Sequence, residues 1–265
     1  MFAATYVINL AHSADRWQAM QPVLAAMGVR DAIRFDAVDG AALGDAGVAD
    51  FQQRGWLAPG LEGFDAGCRA GEIGCALSHA GVLRDVVQQG WAHALILEDD
   101  IELAGNPADW RRRCIAAFAD LPQAWDLWYL YRCFDIEHRA QRVTRRTVIP
   151  WTPQGGAAYA VSLPGARKLL AALSPVASAV DRTYSDLVQR RQVDAWAASP
   201  MLVVPGAQPS IINRANQSKQ WVVEGINRPP EYWPRPYLAH LGEAPPNPLR
   251  RAWNAVARRV SGGAS

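Results

Sequence analysis

The stretch Ala92-His93-Ala94-Leu95-Ile96-Leu97-Glu98-Asp99-Asp100-Ile101-Glu102 carries an apolar run of strand length straight into three consecutive carboxylates. A buried strand ends where polar groups regain water. Glu98, Asp99 and Asp100 are therefore expected at the C-terminal end of a core strand. In an open α/β sheet that edge is where ligands bind. Three acids so close repel one another unless positive charge sits among them, and oxygen-rich clusters suit Mg²⁺ or Mn²⁺. An acidic strand exit, solvated or paired with a nearby Arg, accounts for the same residues.

Immediately upstream, Ile73, Ala76, Leu77, Ala80, Leu83 and Val87 recur at steps of three and four, which predicts a helix from Ala70 to Gly90 feeding the acidic strand. Glu72 and His79, seven apart, share a face of that helix, and Gly71, Gly74 and Gly81 let backbone approach it closely. His79 reads either as a packed, hydrogen-bonded histidine or as a ligand. At the N-terminus, Thr5 to Leu10 is a β-branched and apolar strand, followed by a helix opened by Ser13 and Asp15 and running to Gly28. The turn between them has no glycine, which argues against a G-x-G-x-x-G dinucleotide fingerprint. Ala32 to Val38 reads as a second strand ending at Asp39-Gly40. An acid there can hold ribose hydroxyls or a base edge, or simply make an Asp-Gly turn. Residues 41 to 69, rich in Gly, Ala and Asp, are expected to form a long loop with one short helix.

Downstream, Pro107 to Leu121 reads as a helix, Asp126 to Tyr131 as a strand, and residues 134 to 146 as a charged, mobile connection. Thr147 to Trp151 and Ala157 to Ser162 flank Pro153-Gln154-Gly155-Gly156, a turn or bulge with room for a ligand. A helix begins at Pro164. A second, from Val180 to Gln192, carries Asp181 and Asp186. Short strands follow at Val193 to Ala197 and Met201 to Val204.

The 265 residues suit one large domain or two small ones, and the 50% hydrophobic and 20% charged content is that of an ordinary soluble enzyme. Charge is uneven: residues 1 to 205 carry 19 basic against 22 acidic side chains, residues 206 to 265 carry 8 against 3. Leu249, Trp253, Val256 and Val260 form one stripe of a helix from Pro248 to Val260, with arginines around it. Such a helix can lie on an anionic membrane surface or pack as a terminal helix with a solvated face. The four cysteines form no C-x-x-C pair and read as free thiols of a reducing cytoplasm. No run approaches the roughly 18 apolar residues of a membrane span, and nothing marks secretion.

Several segments together resemble one family: Tyr6-Val7-Ile8-Asn9-Leu10 with Asp15-Arg16; Phe35-Asp36-Ala37-Val38-Asp39-Gly40; Gly71-Glu72-Ile73-Gly74-Cys75-Ala76-Leu77-Ser78-His79; Ala94 to Asp100; and Gly156 to Ser162 before Gly165 to Leu170. The chain resembles glycosyltransferase family 25, which contains bacterial lipopolysaccharide galactosyltransferases and collagen galactosyltransferase domains, over residues 4 to 215. The resemblance implies an α/β, GT-A-like fold: one Rossmann-type mixed sheet flanked by helices over residues 1 to 215. A Pro/Arg/Trp-rich wrapping segment and the basic helix occupy residues 216 to 265.

It further implies a UDP-sugar donor and a divalent metal, Mn²⁺ or Mg²⁺. Strand alternation would turn Glu98 and Asp100 to one side and Asp99 to the other. Asp100 is the expected direct metal contact, and Glu98 belongs to the metal shell or the ribose. Asn9, Leu10, Arg16 and Asp39 would line the uridine site, with Ser78, His79 and Asp99 alongside. Asp181 is the first choice for the base that deprotonates an acceptor hydroxyl in an inverting transfer, and Asp186 the second; Asp181 also reads as a helix N-cap. Asn213 and Ser218 are further phosphate candidates, and His240 is the one late histidine. The expected partners are a nucleotide sugar, a glycan or lipid-linked glycan acceptor and an anionic membrane surface, without nucleic acid. The expected location is cytoplasmic, peripheral at the inner membrane. A non-catalytic homologue that binds a nucleotide or glycan, and a metal-dependent phosphohydrolase, are the rival readings.

Overall fold

The computed structural model describes residues 1–133, 135 and 139–206. Asn213, Ser218, His240 and the basic helix near the C-terminus lie outside the described residues.

The chain builds a large mixed sheet. Its first strand, β1 (Ala4–Asn9), is buried along its whole length and lies between β2 (Ile33–Asp36) and β3 (His93–Glu98), parallel to both. A strand covered on both faces reads as a continuous apolar run. The side chains divide with period two: Tyr6, Ile8, Ala94 and Ile96 enter one core, and Val7, Leu95 and Leu97 the other. On its far side β3 pairs antiparallel with β8 (Ala158–Ser162), which pairs antiparallel with β5 (Leu127–Tyr129). β9 (Ala195–Ala198), β7 (Thr147–Ile149) and β6 (Gln141–Arg142) complete the eight-stranded order β2-β1-β3-β8-β5-β9-β7-β6.

Helices cover both faces. α1 (Ala14–Met27) and α4 (Pro107–Phe118) pack together over the Val7, Leu95, Trp110 and Trp128 core. On the other face α3 (Arg69–Gln89) lies against α2 (Gly40–Gln53), α5 (Leu163–Ala172) and α6 (Val180–Gln189). Of the apolar positions expected of α3, Ile73, Ala76, Leu77, Ala80 and Leu83 are buried and Val87 is half-buried, with Val82 and Val86 buried as well. A short ribbon of β4 (Ile101–Leu103) and β10 (Val203–Pro205) brings the chain back beside the acidic stretch, where the Gly206 amide donates to the Asp100 carbonyl at 2.6 Å.

Residues 41 to 69 are more ordered than composition suggested. Asp39 caps α2 by accepting from the amides of Ala41 and Ala42, and the helix runs to Gln53 across a break at Gly44. Beyond it, Leu57 and Gly63 bridge to Val176 and Ser178, which ties this segment to the start of α6. The connection after β5 also holds a built feature. Asp135 is buried, pairs with Arg132 at 3.0 Å, and accepts from the amides of Trp151 and Thr152.

The crossing of α3 with the β2–α2 turn depends on two glycines. A Cβ on Gly74 would meet the Val38 carbonyl and the Gly40 amide at 2.6 Å, and one on Gly40 would lie 1.7 Å from the Ala70 carbonyl. Both obstacles are backbone and cannot swing aside. Gly74→Ala is expected to destabilise the fold by about 1–3 kcal/mol, the usual range for overpacking. The site would open as well, because the displaced turn carries Asp39. Thermal unfolding checks it, and an unchanged midpoint would refute it.

Candidate functional site

The C-terminal ends of β1, β2 and β3 share one edge of the sheet, and there the chain encloses a cavity of about 830 Å³. Its walls come from the sheet edge (Ile8, Leu10, Glu98, Asp99, Asp100), the start of α2 with Asp39, residues 66–68, and the inner face of α3 with Cys75, Ser78 and His79. Leu10, Arg16, Asp39, Ser78, His79, Glu98, Asp99 and Asp100, widely separated in sequence, all line it.

Positive charge among the acids comes from Arg16. Its Nη2 lies 2.6 Å from Asp99 Oδ1 and 3.0 Å from Asp100 Oδ2, and all three side chains are nearly inaccessible to water. Asn9 Nδ2 donates to the other Asp99 oxygen at 2.5 Å and to the Ser13 carbonyl, while Asn9 Oδ1 accepts from Arg34 Nε. Asn9 thus braces the site from behind and does not itself line the cavity. Burial pushes the Asp99 carboxyl above the usual carboxylate range, and Asn9 and Arg16 pull it back down.

Regular strand pairing ends at Glu98 and the chain turns through Asp99 and Asp100. This turn is why the alternation expected along a strand does not hold: Arg16 engages both aspartates, and Glu98 stands apart, facing α3. There His79 Nε2 is 3.4 Å from Glu98 Oε1, and His79 Nδ1 is 2.8 Å from the Tyr159 hydroxyl, itself 3.1 Å from that of Tyr184. Ser78 is occupied differently. Its hydroxyl accepts from the Val38 amide and donates to the Gly74 carbonyl, so it fixes the cavity wall.

Asp181 sits in the first turn of α6, whose N-cap position is Ala179. Its carboxylate accepts from the Arg182 amide at 2.7 Å, and Arg182 reaches the Gly63 carbonyl. Burial raises the Asp181 pKa, and the charges of Glu72 and Glu98 raise it further. It lies outside the cavity lining but within the field of those two acids. Asp186, one turn on, is exposed and away from the cavity.

Cys75 joins the site unannounced. Read in the sequence as an ordinary thiol, it lies one helical turn from His79, and Cys75, His79 and Glu98 bring ligand atoms within 4.8 Å of one another. The four-residue spacing on α3 was the available signal. Tyr159 and Tyr184 carried none, because their meeting with His79 depends on β8 and α6 packing under α3.

Comparison with known proteins identifies a family. Residues 2–184 match the family described as Glycosyltransferase family 25 (LPS biosynthesis protein). The chain is 30% identical over 224 residues to the human protein named Inactive glycosyltransferase 25 family member 3, covering 77% of this chain and 37% of that one. It is 26% identical over 261 residues to mouse Procollagen galactosyltransferase 2, covering 85% of this chain and 39% of the relative. An Anopheles gambiae Glycosyltransferase 25 family member is 30% identical over 223 residues, covering 76% and 36%. The chain therefore spans less than two-fifths of the length of these relatives. With the family match extending over most of its length, the chain belongs to glycosyltransferase family 25.

Proposed function

We propose that this chain is a metal-dependent, inverting glycosyltransferase of GT-A type that moves a hexose from a UDP-sugar to a glycan. The observation that carries the reading is the cavity at the ends of three parallel strands, with Asp39 on one wall and Glu98, Asp99 and Asp100 on another. Nucleotides bind at such strand ends in α/β sheets, and an acid after the second strand suits ribose hydroxyls. Galactose is the hexose we assign, on the likeness to a relative named a procollagen galactosyltransferase. The acceptor we assign is a lipooligosaccharide or another envelope glycan at the cytoplasmic face of the inner membrane, in line with the family's description. No described helix is long and apolar enough to cross a membrane.

The oxygen chemistry of the cavity's carboxylates supports a hard cation. Glu98 and Asp100 present carboxylates to the same cavity, and oxygen ligands suit Mn²⁺ or Mg²⁺. Bound there, the ion would supply Lewis-acid stabilisation of the departing diphosphate. Arg16 pairs with Asp100 and with Asp99 behind it, and its charge offsets part of the rise that burial imposes on the Asp99 pKa. Leu10 and Asp39 would face the nucleoside.

Asp181 is assigned as the base. Its raised pKa makes it a better proton acceptor than an ordinary carboxylate once ionised. Turnover should therefore rise with pH through a value above the usual Asp range and fall below it. Asp181→Asn is expected to lower UDP release by about 10²–10⁴-fold, the usual contribution of a general base, and to leave donor binding within about twofold. Turnover measured over a panel of UDP-sugars, with product masses read by mass spectrometry, tests donor and base together. Undiminished release in Asp181→Asn would remove it from this role.

A second reading has support of its own, since two of the similar relatives, the human and the mouse family member 3 proteins, are named inactive. In that case the chain holds a nucleotide or glycan without turnover. Donor binding with no transfer across the acceptor panel would decide for it.

A further inference from the structure

We propose that Cys75, His79 and Glu98 form a three-ligand site for a thiophilic divalent cation, Zn²⁺ above all, with its fourth position open to the cavity. The site is distinct in chemistry from the hard-cation pair Glu98 and Asp100, although Glu98 is common to both.

The ligand types come first. Thiolate and imidazole select Zn²⁺ over Mg²⁺ or Mn²⁺, and three protein ligands with one open position is the arrangement of reactive zinc centres. Cys75 and His79 project from one face of α3, a turn apart, and Glu98 faces them from the end of β3.

The spacing agrees as well. The 3.4 Å between His79 Nε2 and Glu98 Oε1 is long for an N–H···O hydrogen bond. With Zn–N and Zn–O bonds of about 2.0–2.1 Å, the edge of a tetrahedron between those two ligands is about 3.4 Å. The sulfur, within 4.8 Å of both, has to close to an edge of about 3.6 Å, given a Zn–S bond of about 2.3 Å. A change of side-chain torsion at Cys75 or Glu98 supplies a movement of that size.

Two further features support the site from outside the cluster. The opposite nitrogen of His79 is held by the buried Tyr159 hydroxyl at 2.8 Å, and Tyr184 holds Tyr159. Ligating histidines are oriented by such a bond on their other nitrogen. Gly156 supplies the second feature. Its backbone passes the cluster just before β8, and a Cβ there would stand 3.2 Å from His79 Nε2 and 3.4 Å from Glu98 Oε1. Glycine thus keeps open the space beside the two ligand atoms that an ion between them needs. Because the ion would draw on Glu98, Zn²⁺ and the hard cation are expected to compete. That consequence rests on the proposed transferase reading; the site itself does not.

The test uses the full chain without donor or acceptor, stripped with a chelator and titrated with Co²⁺ as a spectroscopic substitute for Zn²⁺. One equivalent is expected to give intense tetrahedral visible bands and a thiolate-to-cobalt charge-transfer band, both removed by Zn²⁺. Cys75→Ser should abolish the charge-transfer band, and Cys68→Ser, altering the other thiol that lines the cavity, should keep it. Gly156→Ala, which crowds a methyl group against the two ligand atoms, is expected to weaken Co²⁺ binding by on the order of 10–100-fold, the range seen when the surroundings that orient metal ligands are altered. Weak octahedral bands unaffected by Cys75→Ser, or a charge-transfer band that follows Cys68, would overturn the proposal. Should the Cys75 variant fail to fold, X-ray absorption of the unaltered zinc-loaded chain decides. One sulfur at about 2.3 Å with nitrogen or oxygen at about 2.0–2.1 Å is expected, and a shell without sulfur refutes the site.

Discussion

UDP with Mn²⁺ is expected to raise the melting temperature of the chain, and Asp100→Ala to abolish that rise. A ligand at about one hundred times its dissociation constant stabilises the folded state by about 2.7 kcal/mol. For a chain of this size that corresponds to a shift of roughly 5–10 °C. The expectation follows from position and from the proposed function: Asp100 lines the cavity with Glu98, and its Oδ2 already contacts Arg16, so on that reading one carboxylate would join the fixed cation to the bound one. On the proposed reading, losing a metal contact would also remove several kcal/mol of leaving-group stabilisation. Turnover should then fall by on the order of 10³-fold. UDP alone, without metal, should bind weakly to both proteins. A full Mn²⁺-dependent shift in Asp100→Ala would place the ion elsewhere. Since Cys75, His79 and Glu98 remain in that variant, the same titration with Zn²⁺ separates the two sites.

Arg16→Ala should be the most damaging single change at the site. It leaves Asp99 and Asp100 in a nearly dry setting with their shared cation gone. Breaking a buried pair by removing one partner costs about 3–5 kcal/mol, a fall in melting temperature on the order of 10 °C. The loss should depend on pH with a definite sign. Burial lifts the Asp99 pKa, so the folded chain holds that proton more tightly than the unfolded chain does. Stability from such a group is fullest at low pH and declines as pH rises from the unfolded to the folded value. Without Arg16 the folded value moves higher still, so the deficit should be largest near neutrality and shrink on acidification. Asp99→Asn in the Arg16→Ala background should recover part of the loss, because an amide can still accept from Asn9. Equal deficits at acid and neutral pH, or strict additivity in the double variant, would show that Arg16 acts by packing alone.

The legible parts of this molecule are those in which neighbouring residues determine the outcome. Leu95-Ile96-Leu97 followed by acids marks a buried strand and its exit, and the three- and four-residue steps of α3 mark its buried face. The ligand-binding edge follows from those two observations. What remained hidden depends on long-range pairing. Arg16 belongs to a short motif near the N-terminus, and nothing local says that it neutralises Asp99 and Asp100. α2 was obscured by a composition of Gly, Ala and Asp and by the break at Gly44; its start is fixed by the Asp39 cap. Asp135 looked like one charge among many in a polar connection, yet burial with Arg132 makes it a clamp for the strand end near Trp151. Asp181 and Asp186 stood in the sequence as first and second choices on one helix. The packing of α6 separates them, turning one toward Glu72 and Glu98 and the other to solvent.

The return of the chain along β10 has a consequence for whatever follows it. Gly206, the last described residue, is fastened by its amide to the carbonyl of Asp100, a residue of the cavity wall. Whatever the later residues engage is tethered covalently to Gly206, and its local concentration beside Asp100 would be set by the length of chain in between, in the millimolar range for short tethers. The excess of basic over acidic side chains in residues 206 to 265 is thereby anchored, through Gly206, to the wall of the candidate site.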